Sequence, residues 1–302
     1  MSDESQHRQR RAWLAAEPYL YTLPAVLLIG AVMLVPLIVG ISYAFHDVTL
    51  LDPLSGDFVG FKHFRDLYDD AAFWNAARNT VTWTLASVVL QFLLGLVLAL
   101  LLSSEFPGRA LAQLLVFLPW AVPSFLSGLN WAWLFNPVVG PLPHWFAALG
   151  LMSTPENLLS SPEHALWGPI VANVWWGIPF FAITLLAALQ SIPTDIYEAA
   201  AIDGASEWVR FRRITLPYLA PTMAITILLR TVWIANFADL IVVMTKGGPA
   251  DSTQILASYI FTEAFQRLDF GYASAVATVL LALLLAYALA IMTLRALILK
   301  RN

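Results

Sequence analysis

Long runs without a single Asp, Glu, Lys or Arg constrain this chain more than any other feature. About 20 apolar residues in a helix match the roughly 30 Å hydrocarbon core of a bilayer. Residues 18–46 and 79–104 are two such runs, and a third stays uncharged from Ala110 to Pro155. That third run is too long for one span. Asn136, Pro137, Gly140, Pro141 and Pro143 interrupt it, which ends its helix near Phe135. Spans are expected over residues 19–45, 80–104, 111–135, 165–190, 218–244 and 271–294. Only the fifth contains charge, Arg230 and Asp239. Hydrophobic residues make up 59% of the 302 and charged residues 12%. Soluble domains hold about 45–50% and about 25%, so only a lipid surround accommodates this much apolar surface.

The sequence therefore predicts an all-α integral membrane protein with six transmembrane helices. One domain, residues 18–302, follows a short cytoplasmic segment, residues 1–17. The apolar stretch near the N-terminus is too long for a cleaved signal, and no small-residue cleavage site follows a short apolar core. An even number of spans returns the chain to its starting side. With the N-terminus inside, the inner segments hold ten of the sixteen Lys and Arg residues, among them Arg109, Arg210, Arg212 and Arg213. The outer segments are longer and hold five: Lys62, Arg65, Arg78, Lys246 and Arg267. Positive charge marks the cytoplasmic side, so both termini are expected there.

Several chemistries are excluded. There are no cysteines, hence no disulfides or thiolate metal sites. The five histidines never recur at i, i+3 or i, i+4, so no metal site is expected. Lys62, Lys246 and Lys300 all lack a phosphate-binding Gly-Lys-Ser/Thr context, so any ATP and Mg²⁺ would be used by another chain. No Ser-His or carboxylate pair at helical spacing marks the spans as catalytic. A net charge of −4 gives no reason to expect nucleic acid.

Residues 191–217 form a connector far longer than antiparallel helices need. It carries its own helix punctuation. Thr194 or Asp195 can cap a short helix, with Glu198 three residues after Asp195. Gly204 sits where a left-handed residue would end it. Ser206 can cap a second helix, from Glu207 to about Ile214, stopping before Pro217. Ala199, Ala200 and Ala201 give the first helix a smooth surface that another backbone can approach. An amphipathic helix resting on lipid headgroups is the competing reading, but Asp195, Glu198 and Asp203 are acidic where anionic lipid attracts bases.

Tyr197-Glu198-Ala199-Ala200, then Asp203-Gly204-Ala205, then Ile214 and Leu216-Pro217, resembles the EAA loop of ABC importer permeases, with every spacing matched. Leu118-Pro119-Trp120, residues 173–179 (Asn-Val-Trp-Trp-Gly-Ile-Pro), Asn236-Phe237-Ala238-Asp239 and Lys246-Gly247-Gly248-Pro249 resemble segments of the carbohydrate-uptake branch, of maltose and glycerol 3-phosphate type. The resemblance implies a type I importer permease fold in a bacterial or archaeal cytoplasmic membrane. It also implies a coupling helix that docks on an ATPase. The implied partners are a second homologous permease, two ABC ATPase subunits, an extracytoplasmic solute-binding protein and a sugar.

Sugars offer hydroxyls and flat apolar ring faces, so aromatic platforms with polar neighbours suit them. Trp176, Gly177 and Phe180 on the fourth span are candidates, with Arg230, Trp233, Ile234, Asn236, Phe237 and Asp239 on the fifth. Arg230, Trp233 and Phe237 recur at i, i+3, i+7 and share one helix face. In the resemblance, Gly177, Phe180, Arg230, Trp233, Ile234 and Phe237 fall at sugar-contacting positions, with several residue types changed. Arg230 reads either as a ligand for a hydroxyl or anionic group, or as a structural pair with Asp239, a helix carbonyl or a partner subunit. Gly247-Gly248-Pro249 reads as an external turn that meets a binding protein. A non-sugar or anionic-solute importer of the same superfamily, and a secondary transporter, are the alternative functions.

Overall fold

The computed structural model describes residues 17–49, 56–151, 154 and 157–299. The expected cytoplasmic segment 1–17 lies outside the described residues except for Glu17. Thirteen helices are used below. Helix α1 is Glu17–Tyr43, with a widened π turn at Gly30–Leu34. Helices α2, Lys62–Asp69, and α3, Ala71–Ser103, follow. Next come α4, Arg109–Ala121, α5, Ser124–Leu134, and α6, Pro141–Ala148. Helix α7 is Trp167–Gln190 and α8 is Thr194–Ile202. Then α9, Glu207–Arg210, passes through a π turn at Phe211–Thr215 into α10, Leu216–Ala235. Helices α11, Asp239–Met244, α12, Leu256–Phe265, and α13, Phe270–Leu299, complete the chain.

Five helical stretches among the described residues are long and apolar enough to cross a bilayer, and the bent pair α4–α5 makes a sixth. Their polarity is reversed relative to a soluble bundle. Along α3, Val81, Leu85, Val89, Leu93, Val97 and Leu101 recur every four residues and are all exposed. The opposite face buries Thr80, Thr84, Ser87, Gln91, Gly95 and Ala99. Small and hydroxyl side chains let helices approach closely in lipid, where apolar surface gains nothing from burial. Helix α3 packs along much of α7, α10 crosses both, and α4 lies on α7. Trp83, Ile170, Phe181, Leu185, Ile234 and Ile241 form the main core. Helix α1 buries no residue within its most apolar stretch; its later part leans on α13.

Three expectations are corrected. The third span is not one helix: α4 and α5 meet at a 96° bend. Pro123 lacks an N–H and pushes the preceding residue out of the helical region; Val122 is extended, at φ −88° and ψ 123°. The fifth span also breaks, at residues 236–238, before α11 resumes at Asp239. Finally, the second helix of the connector does not stop before Pro217. It continues through the π turn into α10, with Pro217 in the first turn of α10, where a missing N–H is tolerated.

A polar clasp joins the far ends of α3, α12 and α13. Asp70 caps α3 by accepting from the Ala72 amide at 2.8 Å. Its other oxygen accepts from Tyr259 Oη at 2.6 Å and Tyr272 Oη at 2.5 Å. Partial burial pushes the carboxyl up, but the donors from Tyr259, Tyr272, Ala72 and Phe73 outweigh it and hold its pKa below the ordinary value. A depressed carboxylate adds stability above its unfolded pKa, and that contribution fades as pH falls through the folded value. Replacing Asp70 with Asn should lower stability by about 2 kcal/mol near neutral pH, the scale of a hydrogen bond to a charged group. In thermal unfolding in detergent, the gap between variant and native protein should shrink below about pH 4.

Candidate functional site

The two helix breaks lie against each other. Ser124, the first residue of α5, donates through Oγ to Asp239 Oδ2 at 2.7 Å, at the start of α11. The carbonyl of Val122, freed by the bend, accepts from Trp176 Nε1 at 3.1 Å. Each break exposes backbone groups that lipid cannot satisfy, and side chains from facing helices satisfy them.

An aromatic cluster grows from this junction. Trp176 stacks on Phe237, with ring centroids 5.3 Å apart and planes 11° apart, and meets Trp233 edge-on at 6.2 Å. Phe180 contacts Trp233 and Trp120. The adjacent Trp175 turns away and packs on Trp131. Arg230 sits beneath the cluster, 1% exposed. Its guanidinium carbon lies 5.0 Å from the Trp233 ring centroid, 5.5 Å from Trp176 and 5.6 Å from Phe180.

Arg230 Nε donates to Gln91 Oε1 at 2.7 Å, and Gln91 Nε2 donates to the Asn173 carbonyl at 2.8 Å. The chain of bonds ties α10 to α3 and α3 to α7. Gly177 makes room for it: a Cβ there would overlap Arg230 Nη2 and the Gln91 carboxamide. Placing an arginine at a bilayer-spanning helix centre costs about 2.5–3.5 kcal/mol. One hydrogen bond from a charged donor contributes about 1.5–3 kcal/mol, and a desolvated cation–π contact about 2 kcal/mol. The surroundings therefore offset the insertion cost without any carboxylate.

Of the candidate residues, the structure gathers Trp176, Gly177, Phe180, Arg230, Trp233 and Phe237, with Asp239 at the adjoining break. It does not bring Ile234 or Asn236 into the cluster. The Ile234 side chain is buried in the core, and its carbonyl accepts from Trp83 Nε1 at 2.9 Å. Asn236 donates to the Val232 carbonyl and lines a separate groove with Ile260 and Leu284. Gln91 escaped sequence reading because a search for charges passes over a neutral amide in an apolar run.

At the other end, α8 begins without a side-chain cap. Pro193 occupies the capping position and Thr194 is already helical, which corrects the expected Thr194 or Asp195 cap. Asp195 still lies in the first turn, where it suits the helix dipole. The helix closes as expected. Gly204 is left-handed, at φ 76°, its amide donating to the Ala201 carbonyl and that of Ala205 to the Ala200 carbonyl. Glu198, Ala199, Asp203 and Gly204 are exposed, with Ala200 and Ala205 half-buried. Tyr197 turns inward, its hydroxyl 2.9 Å from Thr215 Oγ1 at the end of the π turn. Two apolar residues beyond the expected set also stand out: Ile202 is 87% exposed and Trp208 66%.

The segment after the Lys246–Pro249 turn, residues 251–254, is held against α3. Asn79 Nδ2 donates to the carbonyls of Ser252 and Gln254, both at 3.0 Å, and Asn75 Nδ2 to that of Asp251 at 2.7 Å.

Substituting Gly177 with Ala should overpack the Arg230–Gln91 junction, at about 1–3 kcal/mol. The melting temperature should fall and the tryptophan emission of Trp176 and Trp233 should shift. An unchanged melt and spectrum would contradict this packing.

Residues 91–301 match the family model described as binding-protein-dependent transport system inner membrane component. The trehalose/maltose transport system permease protein MalF of Thermococcus litoralis is 34% identical over 270 residues, 89% of this chain and 90% of that protein. The sulfoquinovosyl glycerol transport system permease protein SmoG of Agrobacterium fabrum is 34% identical over 287 residues, covering 93% and 92%. Among solved structures, a chain of a bacterial ABC transporter involved in the import of the acidic polysaccharide alginate superposes with a TM-score of 0.79. It is 25% identical, and the match covers 97% of this chain and 98% of that one. The bent and broken spans, the capped connector helix and these matches agree: the chain belongs to the family of binding-protein-dependent transport inner membrane components, as a multi-pass permease of the ABC importer type.

Proposed function

We propose that this chain forms one half of the pore of an ATP-driven sugar importer, and that the Arg230–aromatic cluster is its solute pocket. One observation carries the reading. Residues Glu207–Met244 form a near-continuous helical stretch, rooted beside α8 and bearing Arg230 and Trp233. Displacement of α8 is passed through the Tyr197–Thr215 contact to the helix that shapes the pocket.

Three relatives are named for trehalose or maltose, sulfoquinovosyl glycerol and alginate, all sugars or sugar derivatives. Aromatic faces beside a guanidinium suit the same chemistry. ATP and Mg²⁺ act on two partner ATPase subunits, against which Glu198, Ala199, Ala200, Asp203 and Gly204 dock with Tyr197 and Ala205 behind them. A second permease completes the pore. An extracytoplasmic binding protein delivers the sugar at the end bearing the Lys246–Pro249 turn; the alginate transporter has been solved in complex with an alginate pentasaccharide-bound periplasmic protein. This chain itself carries out no catalysis. A secondary transporter is not favoured, because the relatives are ABC permeases.

In a reconstituted complex, Gly204→Pro should reduce both uptake and substrate-stimulated ATP hydrolysis at least about tenfold, because only glycine tolerates that φ readily. Wild-type rates of both would remove the coupling role. The orientation has its own test. The chain has no cysteine, so a single Ser206→Cys should react with a membrane-impermeant maleimide only from the cytoplasmic face, and Val138→Cys only from outside. Labelling of residue 206 from outside would reverse the topology.

A further inference from the structure

The connector between α7 and α10 changes sign along its length. Helix α8 and its cap carry Asp195, Glu198 and Asp203, all exposed, with no basic residue among them. The turns that follow carry Arg210, Arg212 and Arg213 against the single carboxylate of Glu207. Arg212 and Arg213 are exposed and take no part in the ion pairs among the described residues. Arg210 is half-buried, and its Nη2 lies 3.9 Å from Glu207 Oε1, at the outer limit of an ion pair.

Position decides what such a patch meets. Helix α9 runs without a stop through the π turn into α10, which enters the bilayer from Leu216. At 1.5 Å per residue, Arg212 and Arg213 lie about 4–6 Å along the axis from Leu216. The headgroup layer outside the hydrocarbon is about 5–8 Å deep on each side. The two guanidinium groups therefore stand at the depth of lipid phosphates, and their stems can run along the apolar border while the charged heads reach outward. Aromatic rings flank them. Trp208 is 66% exposed and packs on Phe211, ring centroids 5.7 Å apart, and Tyr218 is exposed on the membrane side. Exposed aromatic rings beside basic residues are the composition of a bilayer interface. A planar guanidinium also matches the oxygens of a phosphate with paired N–H donors. The acidic α8 is repelled by the same anionic surface, which leaves it for a protein partner.

We infer that Arg212 and Arg213, with Trp208 and Tyr218 on either side, bind the phosphate of an anionic phospholipid. The connector then meets two partners, protein through α8 and lipid through the turn that follows. Such a site is independent of which solute crosses.

The test uses the intact importer complex in nanodiscs doped with a photoactivatable phosphatidylglycerol, with adducts mapped by peptide mass spectrometry. Wild-type protein should carry adducts within residues 207–218. Unlabelled phosphatidylglycerol should displace them at least about tenfold more effectively than phosphatidylcholine, because each basic residue at an anionic surface contributes about fivefold in affinity. Arg212→Gln combined with Arg213→Gln should remove that preference, whereas Arg212→Lys combined with Arg213→Lys should keep most of it. Equal displacement by the two lipids in wild-type protein would make the segment an ordinary membrane border and overturn the site. Displacement by inorganic phosphate at the same concentrations would make the ligand a soluble anion and overturn the lipid. Cross-links from this segment to an ATPase subunit, with no lipid adduct, would overturn it in favour of a protein contact. The wild-type competition needs no substitution, so it decides even where the Gln variant fails to assemble.

Discussion

Within a bilayer no water is available to a stranded polar group, and the Arg230–Gln91–Asn173 chain is how this bundle meets that constraint. Lipid gives apolar helices no reason to associate, so specific polar contacts and close packing decide which faces meet. A guanidinium that lost Gln91 would be stranded, and so would the amide that lost Asn173. The relative placement of α3, α7 and α10 follows from this. Trp83, bonded to the Ile234 carbonyl just before the second break, fixes the same trio one level away.

The breaks in the third and fifth spans are the complement of that rigidity. A straight helix presents only side chains to its surroundings. A broken one also presents carbonyls and amides, and such discontinuities line solute paths in membrane transporters. Here the carbonyl of Val122 is taken by Trp176, which also forms one wall of the aromatic cluster. The stacked ring of Phe237 belongs to the second break itself. The aromatic cluster and the breaks are thus one construction, and a shift of α10 relative to α5 alters both.

How much of this was legible from the residues depends on the range of the interaction. The spans were readable because charge in lipid is expensive wherever the chain goes. Gly204 was readable because a left-handed helix end is a local requirement. The face shared by Arg230, Trp233 and Phe237 followed from helix periodicity. The bend at Val122 was missed although Pro123 favours it, because prolines are tolerated inside membrane helices; Pro119 and Pro179 sit within α4 and α7 without ending them. What selects Pro123 for a 96° turn is remote: the Trp176 indole and the Ser124–Asp239 bond. Gln91 was invisible for the same reason, its importance lying entirely in a partner 139 positions away.

The 33 residues of α3 give a rod about 50 Å long, well beyond the roughly 30 Å of hydrocarbon. Such a length exceeds what a single crossing needs. Asp70 at the tip and Asn75 and Asn79 on its shaft brace α12, α13 and the loop ahead of α12. The surface at that end of the bundle is therefore mounted on the same beam that anchors Arg230, so a load applied at the tip is felt at the aromatic cluster without any intervening joint.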